Sequence, residues 1–468
     1  MPIPFMVMFL LWTLWLLSLV LMLLFAWPLL FPAVWRRLFF PHTIPMRTET
    51  PVPEPPPVED ASLPVDAPKE SWEKFVNTEL EASLREVFPA YTVAEEAPTR
   101  ELLQELLAEE PMQQLRKRYM DLSQLVDIAE RFQEWAEQRP AGEGLLLEAA
   151  KDVDYWFVGD VHASFGVLLQ VWAFVRHRAK QCGRKACIIL LGDIVDRGEE
   201  DFPCLGLVED MLMSGGKDGV QLLCLRGNHD AALSQDARGN FASCVLPAET
   251  ADALNSLREN GPAGAAESIG RAAIALARIA PCMGELTLPE TAQENACILF
   301  AHGGVPHVDL QQEAVENPAD FTPLSGKPLF DSLPESVRDK WAEDFTWIRL
   351  VDRLPHKKPN RGTHGNEMGT RDVNSYRRLH LRLTGRSVGF IVRGHDHEPA
   401  GYRLYSFDAE HNPARGTFVQ KNCGVLTINT MEHVSGNPLF AGACPALACV
   451  RCGGKLELFP LPLKTEEL

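Results

Sequence analysis

The chain is short of basic residues relative to acidic ones, and this shortage excludes one broad class of function. Its 468 residues include 45 Lys and Arg against 63 Asp and Glu, a formal net charge of −18. Because binding to a nucleic-acid backbone requires a basic face, we do not expect nucleic acid as a partner. A hydrophobic content of 46% also excludes disorder of the whole chain and is typical of a globular protein with a large core.

Charge of either sign is missing from Met1 to Trp35, a segment that contains the run FMVMFLLWTLWLLSLVLMLLFAW. This run exceeds the ~20 apolar residues that span a bilayer, so we predict a transmembrane helix. A signal peptide would have a basic segment before the run and a small-residue cleavage site after it, and neither is present. Arg36 and Arg37 follow, and the positive-inside tendency places the remainder of a single-pass membrane protein in the cytoplasm.

Regular cysteine spacing is also missing. The 11 cysteines are scattered and odd in number, and most lie inside apolar runs such as ACIILL, where a free thiol behaves as a small hydrophobic side chain. We therefore expect a reducing compartment. Cys449 and Cys452 form a lone CxxC without a second pair at zinc-ribbon spacing, so we do not expect a zinc site there.

The composition changes three times along the chain. Prolines cluster between residues 51 and 57 and favour an extended spacer, whereas Leu122, Leu125, Ile128, Phe132 and Trp135 recur at helical spacing. The sequence predicts a transmembrane anchor at 1–37, a proline-rich linker at 38–70, a helical region at 71–150 and a catalytic domain at 151–468.

After Val153, short apolar runs alternate with longer helical patterns, which is typical of an α/β domain. Five apolar runs are strand candidates that are followed at once by Gly and by Asp, Asn or His: YWFVGD, CIILLGD, VQLLCLRGNHD, CILFAHGG and VGFIVRGHDH. Ligands collect at the carboxyl ends of strands in open α/β sheets, so we expect these turns to meet at one edge. Two insertions, residues 240–290 and 309–342, interrupt the alternation.

The turns carry side chains that suit a metal centre. They supply Asp160, His162, Asp193, Asn228, His229, His302 and His395. Carboxylates, imidazoles and an amide oxygen form a mixed donor set that suits Mn, Fe or Zn better than Ca. Two cations sharing one carboxylate would favour displacement at phosphorus, and Asp193 is the natural bridge.

In this order, the segments GDVHASF, GDIVDRG, LRGNHD, AHGG and RGHDHEPAGY resemble the signature of the calcineurin-like metallophosphoesterases. GDIVDRG followed by RGNH and HGG is similar to the phosphoprotein phosphatase branch, in particular its bacterial-type serine/threonine phosphatases. The resemblance covers roughly residues 155–430. It implies an α/β fold, the metallophosphoesterase α/β/β/α sandwich, and metallophosphatase activity.

The resemblance also implies residue roles. The first metal would be held by Asp160, His162 and Asp193, and the second by Asp193, Asn228, His302 and His395. His229 would be the general acid, with Asp196 hydrogen-bonded to it, and Arg197 would bind the substrate phosphate. A second phosphate-binding arginine is expected after a tryptophan, and Arg349 follows Trp347; the alternative is a surface arginine. The cofactors implied are two divalent metal ions, Mn²⁺ in the first place, with Fe or Zn as alternatives.

Three departures leave the substrate open. The first motif ends in Ala163 instead of glycine and the third in Asp230 instead of glutamate, and the SAPNY segment of eukaryotic protein phosphatases is missing. We expect a phosphorylated protein as substrate, with a dinucleotide polyphosphate or another small phosphoester as the alternative. A catalytically inactive membrane scaffold is a hypothesis of another class; all the implied metal ligands are present, which disfavours it.

Overall fold

A computed structural model describes part of the chain. The described residues are 92–93, 97–142, 144–216, 219–288, 296–308, 327–351, 357–360, 364–398, 401–406, 424–431, 445–451 and 455–461. They belong to one compact unit, residues 65–468. The predicted transmembrane helix and proline-rich linker lie outside the described residues. Among the helices that are described, none has the length and hydropathy needed to cross a membrane.

One six-stranded sheet, sheet A, carries the first three predicted strands. Its order is β1 (Thr92–Val93), β17 (Lys455–Pro460), β16 (Ala446–Arg451), β3 (Val153–Val158), β4 (Lys185–Leu190) and β5 (Val220–Cys224). Strands β3, β4 and β5 are parallel, and β16 runs antiparallel to β3. The carboxyl ends of β3, β4 and β5 therefore lie at the same edge of the sheet.

A second six-stranded sheet, sheet B, carries the other two predicted strands. Its order is β14 (Tyr402–Ser406), β15 (Gly424–Ile428), β13 (Ser387–Arg393), β9 (Ala296–Ala301), β8 (Met283–Leu288) and β2 (Gly144–Glu148). Strands β9, β13 and β15 are parallel. The strand predictions for all five apolar runs are confirmed.

Helices cover the outer faces of both sheets. Those beside sheet A are α1 (Arg100–Ala108), α2 (Glu110–Met120), α3 (Leu122–Glu137), α4 (Phe165–Cys182), α5 (Asp201–Ser214), α7 (Glu249–Asn260) and α8 (Ala265–Ile279), while α6 (Asn228–Ala232) follows β5. Those beside sheet B are α9 (Glu335–Trp347) and α10 (Thr370–Thr384). The smaller strands are β6 (Leu233–Gln235), β7 (Phe241–Ser243), β10 (Arg349–Leu350), β11 (Lys358–Pro359) and β12 (Asn366–Met368).

The apolar side chains form three layers. One lies between sheet A and its helices, one between the two sheets, and one between sheet B and its helices. Successive residues of a strand point to opposite faces, so Trp156 of β3 packs with the helices while Phe157 faces sheet B. The rings of Phe157 and Phe300 meet between the sheets with centroids 5.5 Å apart. The described residues thus form a four-layer mixed α/β fold, with helices outside and two sheets inside.

The two sheets also join at the edge where the polar turns lie. Asp160, just after β3, forms an isolated parallel bridge with Asn429, just after β15. The amide of Thr430 donates to the Asp160 carbonyl at 3.0 Å, and the Thr430 hydroxyl accepts from the amide of Gly159 at 2.9 Å. These bonds bring the polar ends of both sheets to a common place.

The helix predicted from the spacing of Leu122 to Trp135 is confirmed as α3. Asp121 caps its N-terminus: the Asp121 side chain accepts hydrogen bonds from the amides of Ser123 and Gln124. Its apolar face, with Phe132 fully buried, belongs to the same core as α4 and α5. Because Gly206 of α5 has no Cβ, Leu125 packs directly against the α5 backbone.

We expect Phe132→Ala to lower the free energy of unfolding by ~3–5 kcal/mol, since it removes a fully buried aromatic ring and leaves a cavity. Chemical denaturation measures this change. Glu134→Ala, on the exposed face of α3, is the control and should change the free energy by less than ~0.5 kcal/mol. Equal effects of the two substitutions would contradict the packing of α3 on the core.

Candidate metal centre and catalytic dyad

Three overlapping groups of possible metal ligands lie at the shared edge of the two sheets. They are Asp160, His162 and His397; His162, Asp193 and His229; and Asp193, His302 and His395. Within each group the ligand atoms lie within 4.8 Å of one another. The structure thus brings together side chains that follow β3, β4, β5, β9 and β13.

The first group is built around His162. Its Nε2 lies 3.8 Å from Asp160 Oδ2 and 3.7 Å from Asp193 Oδ2. Its Nδ1 lies 2.9 Å from the Val195 carbonyl, which can only accept a hydrogen bond. The Nδ1 proton is therefore used on the backbone, and Nε2 keeps a lone pair directed at the two carboxylates.

The group of Asp193, His302 and His395 is built in the same way. His302 Nδ1 lies 3.0 Å from the Leu191 carbonyl, while its Nε2 lies 2.9 Å from Asn228 Oδ1 and 3.2 Å from Asp193 Oδ2. His395 lies beside His302, with ring centroids 5.0 Å apart. Its Nε2 is buried and has no hydrogen-bond partner, as expected of an atom that binds a cation.

The charges of this cluster favour a positive charge beside Asp193. Burial opposes the charge of His302, but the carboxylates of Asp193 and Asp160 outweigh it and raise its pKa to about 9. Burial also works against the charge of Asp193, yet His302 and His229 hold its pKa well below the usual range. A positive charge is thus stabilised next to Asp193, and a divalent cation meets the same requirement.

At His162 and His395 burial determines the direction of the pKa shift, whereas at His302 the carboxylates outweigh it. Loss of hydration, followed by repulsion from Arg197 at His162 and from Arg349 at His395, lowers the pKa of both rings well below the usual value. Both imidazoles are therefore neutral, which is the form that binds metals.

Backbone strain is concentrated at this site. Every nonglycine residue of the described part with a positive φ lies in its turns: His162, Ala163, Asp193, Asp196, Arg197 and His395. Such left-handed backbone costs roughly 1 kcal/mol or more per residue and persists only where surrounding contacts enforce it. A Cβ on Gly227 would lie 2.1 Å from the amide nitrogen of Asp193, and one on Gly394 would lie 2.2 Å from Asp160 Oδ1. The glycines before Asn228 and His395 therefore let the turns approach closely.

His229 and Asp196 form a buried dyad beside the carboxylates. His229 Nδ1 lies 2.8 Å from Asp196 Oδ2, and the His229 amide donates to Asp193 Oδ1 at 2.8 Å. The carboxylate holds the proton on Nδ1, so Nε2 faces the centre of the site. This is the geometry required of an oriented imidazole that exchanges a proton with a bound group.

Arg197 reaches into the same space. Its NH2 lies 3.0 Å from His229 Nε2 and its NH1 2.9 Å from His397 Nδ1, and its Nε is buried with no hydrogen-bond partner. Burial lowers the pKa of the guanidinium. Its side chain forms no ion pair with any carboxylate in the described part of the chain. A half-buried guanidinium of this kind is suited to bind an anion.

Arg349 lies at the rim of the site, with 28% of its side chain exposed. Its NH1 donates to Asp396 Oδ1 at 2.8 Å and to the His395 carbonyl at 3.3 Å. Its charge acts on both Arg197 and His395, so the structure places it near the centre and not on a remote surface. Its predicted role in phosphate binding stays a prediction.

Two residues that were not predicted from the sequence, His397 and Asp230, also lie in the site. His397 Nε2 lies 3.2 Å from Asp160 Oδ2 and 3.3 Å from His162 Nε2, and it is the second histidine of the quoted RGHDH segment. Asp230, noted only as a departure, accepts from the amides of Asp193 and Ile194 at 2.8 and 3.0 Å. The signal for His397 was present in the motif, whereas Asp230 could be understood only from the fold.

A further buried group, Glu285, Cys297 and His380, lies between sheet B and α10. Arg386 donates to Glu285 Oε2 through Nε at 2.9 Å and through NH2 at 2.6 Å. The carboxylate is already neutralised by a side chain, so we attribute this group to packing.

Part of the chain is similar in sequence to a known phosphatase. The chain is 28% identical over 102 residues to serine/threonine-protein phosphatase 1 of Salmonella typhimurium, an alignment that covers 21% of this chain and 39% of that protein. The matched segment is thus well under half of the relative's length.

Among solved structures, a Saccharomyces cerevisiae protein serine/threonine phosphatase with similarity to human phosphatase PP5 is similar at a TM-score of 0.47 and 14% identity, covering 79% of this chain and 98% of that one. A cold-active protein-tyrosine phosphatase of a psychrophilic Shewanella species gives a TM-score of 0.35 and 15% identity, covering 67% and 78%.

The family model described as calcineurin-like phosphoesterase matches residues 154–399, more than half of the chain, and this range contains every metal-ligand candidate named above. The resemblance found in the sequence is thereby confirmed: the chain belongs to the calcineurin-like phosphoesterase family.

Proposed function

We propose that this protein is a metal-dependent phosphoester hydrolase that acts on phosphoserine or phosphothreonine in proteins. The observation that carries the proposal is the position of Arg197. Its guanidinium lies next to the His229–Asp196 dyad and the carboxylate cluster, and it has no carboxylate partner of its own in the described residues. A phosphoryl group would supply the missing anion and would lie within reach of His229.

The donor set supports two cations. The carboxylates of Asp160 and Asp193, the imidazoles of His162 and His397 and the unpartnered Nε2 of His395 fit Mn²⁺, Fe or Zn. Bound divalent cations supply charge neutralisation for a phosphoryl group and lower the pKa of water. Asp193, which belongs to two of the ligand groups, is the residue that both cations would share.

The remaining roles belong to the side chains. Arg197, with Arg349 at the rim, orients the phosphoryl oxygens by charge-assisted hydrogen bonds. His229 donates the proton from Nε2 to the departing alkoxide, and Asp196 stabilises the imidazolium before the transfer. Direct attack by water on the phosphorus needs no covalent enzyme intermediate.

The proposed substrate class is based on the motifs and on the aligned relative. GDIVDRG and RGNH resemble protein phosphatases, and the aligned Salmonella protein is named as one. A dinucleotide polyphosphate is the competing substrate, because the SAPNY segment is missing. The inactive scaffold is disfavoured, since Asn228 and the six candidate Asp and His ligands lie together.

We propose further that the protein is tethered to a membrane by the apolar segment before Trp35, with the enzyme on the cytoplasmic side. The support is the uncharged segment of Met1 to Trp35 and the pair Arg36 and Arg37.

We expect Asp193→Asn to lower kcat by about 10³-fold or more and to reduce the metal content, since the shared carboxylate is weakened for both cations. Elemental analysis of the purified protein and phosphatase assays with added Mn²⁺ measure the two effects. Asp127→Asn is the control, because Asp127 is an exposed carboxylate on α3. Full activity of the Asp193 variant without metal would contradict the proposal.

Turnover of phosphoserine peptides by the full-length protein in detergent is expected to exceed that of diadenosine polyphosphates, by about 10-fold or more in kcat/KM, if the site is open to a protein substrate. Steady-state assays at equal metal concentration compare the two. Faster cleavage of the nucleotide would replace the protein substrate with the small-molecule one and would leave the metal chemistry unchanged.

If the enzyme lies in the cytoplasm, a fluorescent protein that folds there will fluoresce when it is fused after Leu468. A reporter that is active only outside the cytoplasm will be inactive at the same position. The two fusions are compared at equal expression. The reverse pattern would contradict the cytoplasmic assignment.

A further inference from the structure

The first turn of α7 holds the strained turn that carries Asp196 and Arg197. Both residues have left-handed backbone, with φ of 64° and 69°. The amide of Asp196 donates to the Thr250 hydroxyl at 3.1 Å and to Asp201 Oδ1 at 2.8 Å. The amide of Arg197 donates to Glu249 Oε2 at 3.2 Å. Side chains from α7 and α5 thus satisfy both amides of the turn.

Thr250 also holds the side chain of Asp196. The Thr250 amide donates to Asp196 Oδ1 at 2.9 Å, and its hydroxyl lies 2.7 Å from the same oxygen. In the described residues Asp196 Oδ1 has no other partner, while Oδ2 is the atom that holds His229 Nδ1. One carboxylate oxygen is therefore fixed by α7, so that the other can fix the imidazole.

The location of Thr250 suits this task. The residue is 1% exposed, and it lies in the first turn of a 12-residue helix, where amides have no partner within the helix. Such amides favour a nearby anion. Asp201 Oδ1, also buried, lies 2.6 Å from the Thr250 hydroxyl, and the single hydroxyl proton is shared between this oxygen and Asp196 Oδ1 in a three-centre hydrogen bond.

We propose that Thr250 is a positioning residue for proton donation: it fixes the rotamer of Asp196 and, through Asp196, the ring orientation and tautomer of His229. The inference rests on the proposed function of His229 and deepens it. It also gives a role to residues 240–290, which the sequence presents only as an insertion between strands.

The leaving group separates this role from simple packing. A serine alkoxide needs a proton as it departs, whereas p-nitrophenolate leaves without one. Thr250→Val keeps the shape and the amide but removes the hydroxyl. We expect it to lower kcat of the full-length protein on a phosphoserine peptide by about 10-fold or more and on p-nitrophenyl phosphate by less than about 2-fold.

Two further variants serve as controls. Thr250→Ser retains the hydroxyl and is expected to recover most of the activity on the phosphoserine peptide. Thr384→Val removes another buried threonine hydroxyl, one that donates to the His380 carbonyl at 2.7 Å in α10. It should alter both substrates equally, if at all. An equal loss on both substrates in Thr250→Val would overturn the proposal.

The His229→Ala background tests whether Thr250 acts through His229. With the imidazole removed, Thr250→Val should change kcat on the phosphoserine peptide by less than about 2-fold, because residues that act as a unit are not additive. A full additional 10-fold loss in that background would overturn the positioning role.

Hydrogen exchange tests the contact without any assay of activity. Peptides spanning residues 192–200 should exchange faster in Thr250→Val than in the unmodified protein, and Thr384→Val should not change them. Unchanged exchange in the Thr250 variant would overturn the inference. If the unmodified protein hydrolyses neither substrate, the proposed function is wrong. The exchange measurement does not depend on activity, so it still tests the contact between Thr250 and Asp196.

Discussion

The burial of Asp193 is the constraint on which the rest of the site depends. A carboxylate that is 1% exposed loses its hydration and needs positive charge and hydrogen-bond donors nearby. His302 supplies charge at 3.2 Å, and the His229 amide donates at 2.8 Å. The Asp230 carboxylate accepts a hydrogen bond from the Asp193 amide. A divalent cation bound to Asp193 would meet the same need for positive charge.

The same constraint explains where strain is tolerated. Turns that bring Asp193, Asp196 and His395 to one point require left-handed backbone that other turns of the described chain reserve for glycine. The energy for this comes from the surrounding packing, in which Phe157 and Phe300 lie between the sheets and Phe132 supports the outer helices. A rigid core thus maintains a precise arrangement of polar side chains that would not form in an isolated peptide.

The predictable part of the fold was local. Apolar runs followed by Gly together with Asp, Asn or His predicted β3, β4, β5, β9 and β13, and the resemblance of these ordered motifs to a known family implied the ligands. Thr250 carries no comparable signal. It acts by a bond to Asp196, which is far away in the sequence, and only the folded chain reveals that these two residues meet.

The candidate metal ligands are divided between the two sheets. Asp160, His162, Asp193 and Asn228 follow strands of sheet A, whereas His302, His395 and His397 follow strands of sheet B. The Asp160–Asn429 bridge, the contact of His302 with the Leu191 carbonyl and the hydrogen bond from the His395 amide to Asp160 also join the two sheets at this edge. A bound cation would therefore act as a staple across the sandwich. Metal affinity and the docking of one sheet on the other are then a single linked equilibrium, in which ions stabilise the fold as the fold assembles their ligands.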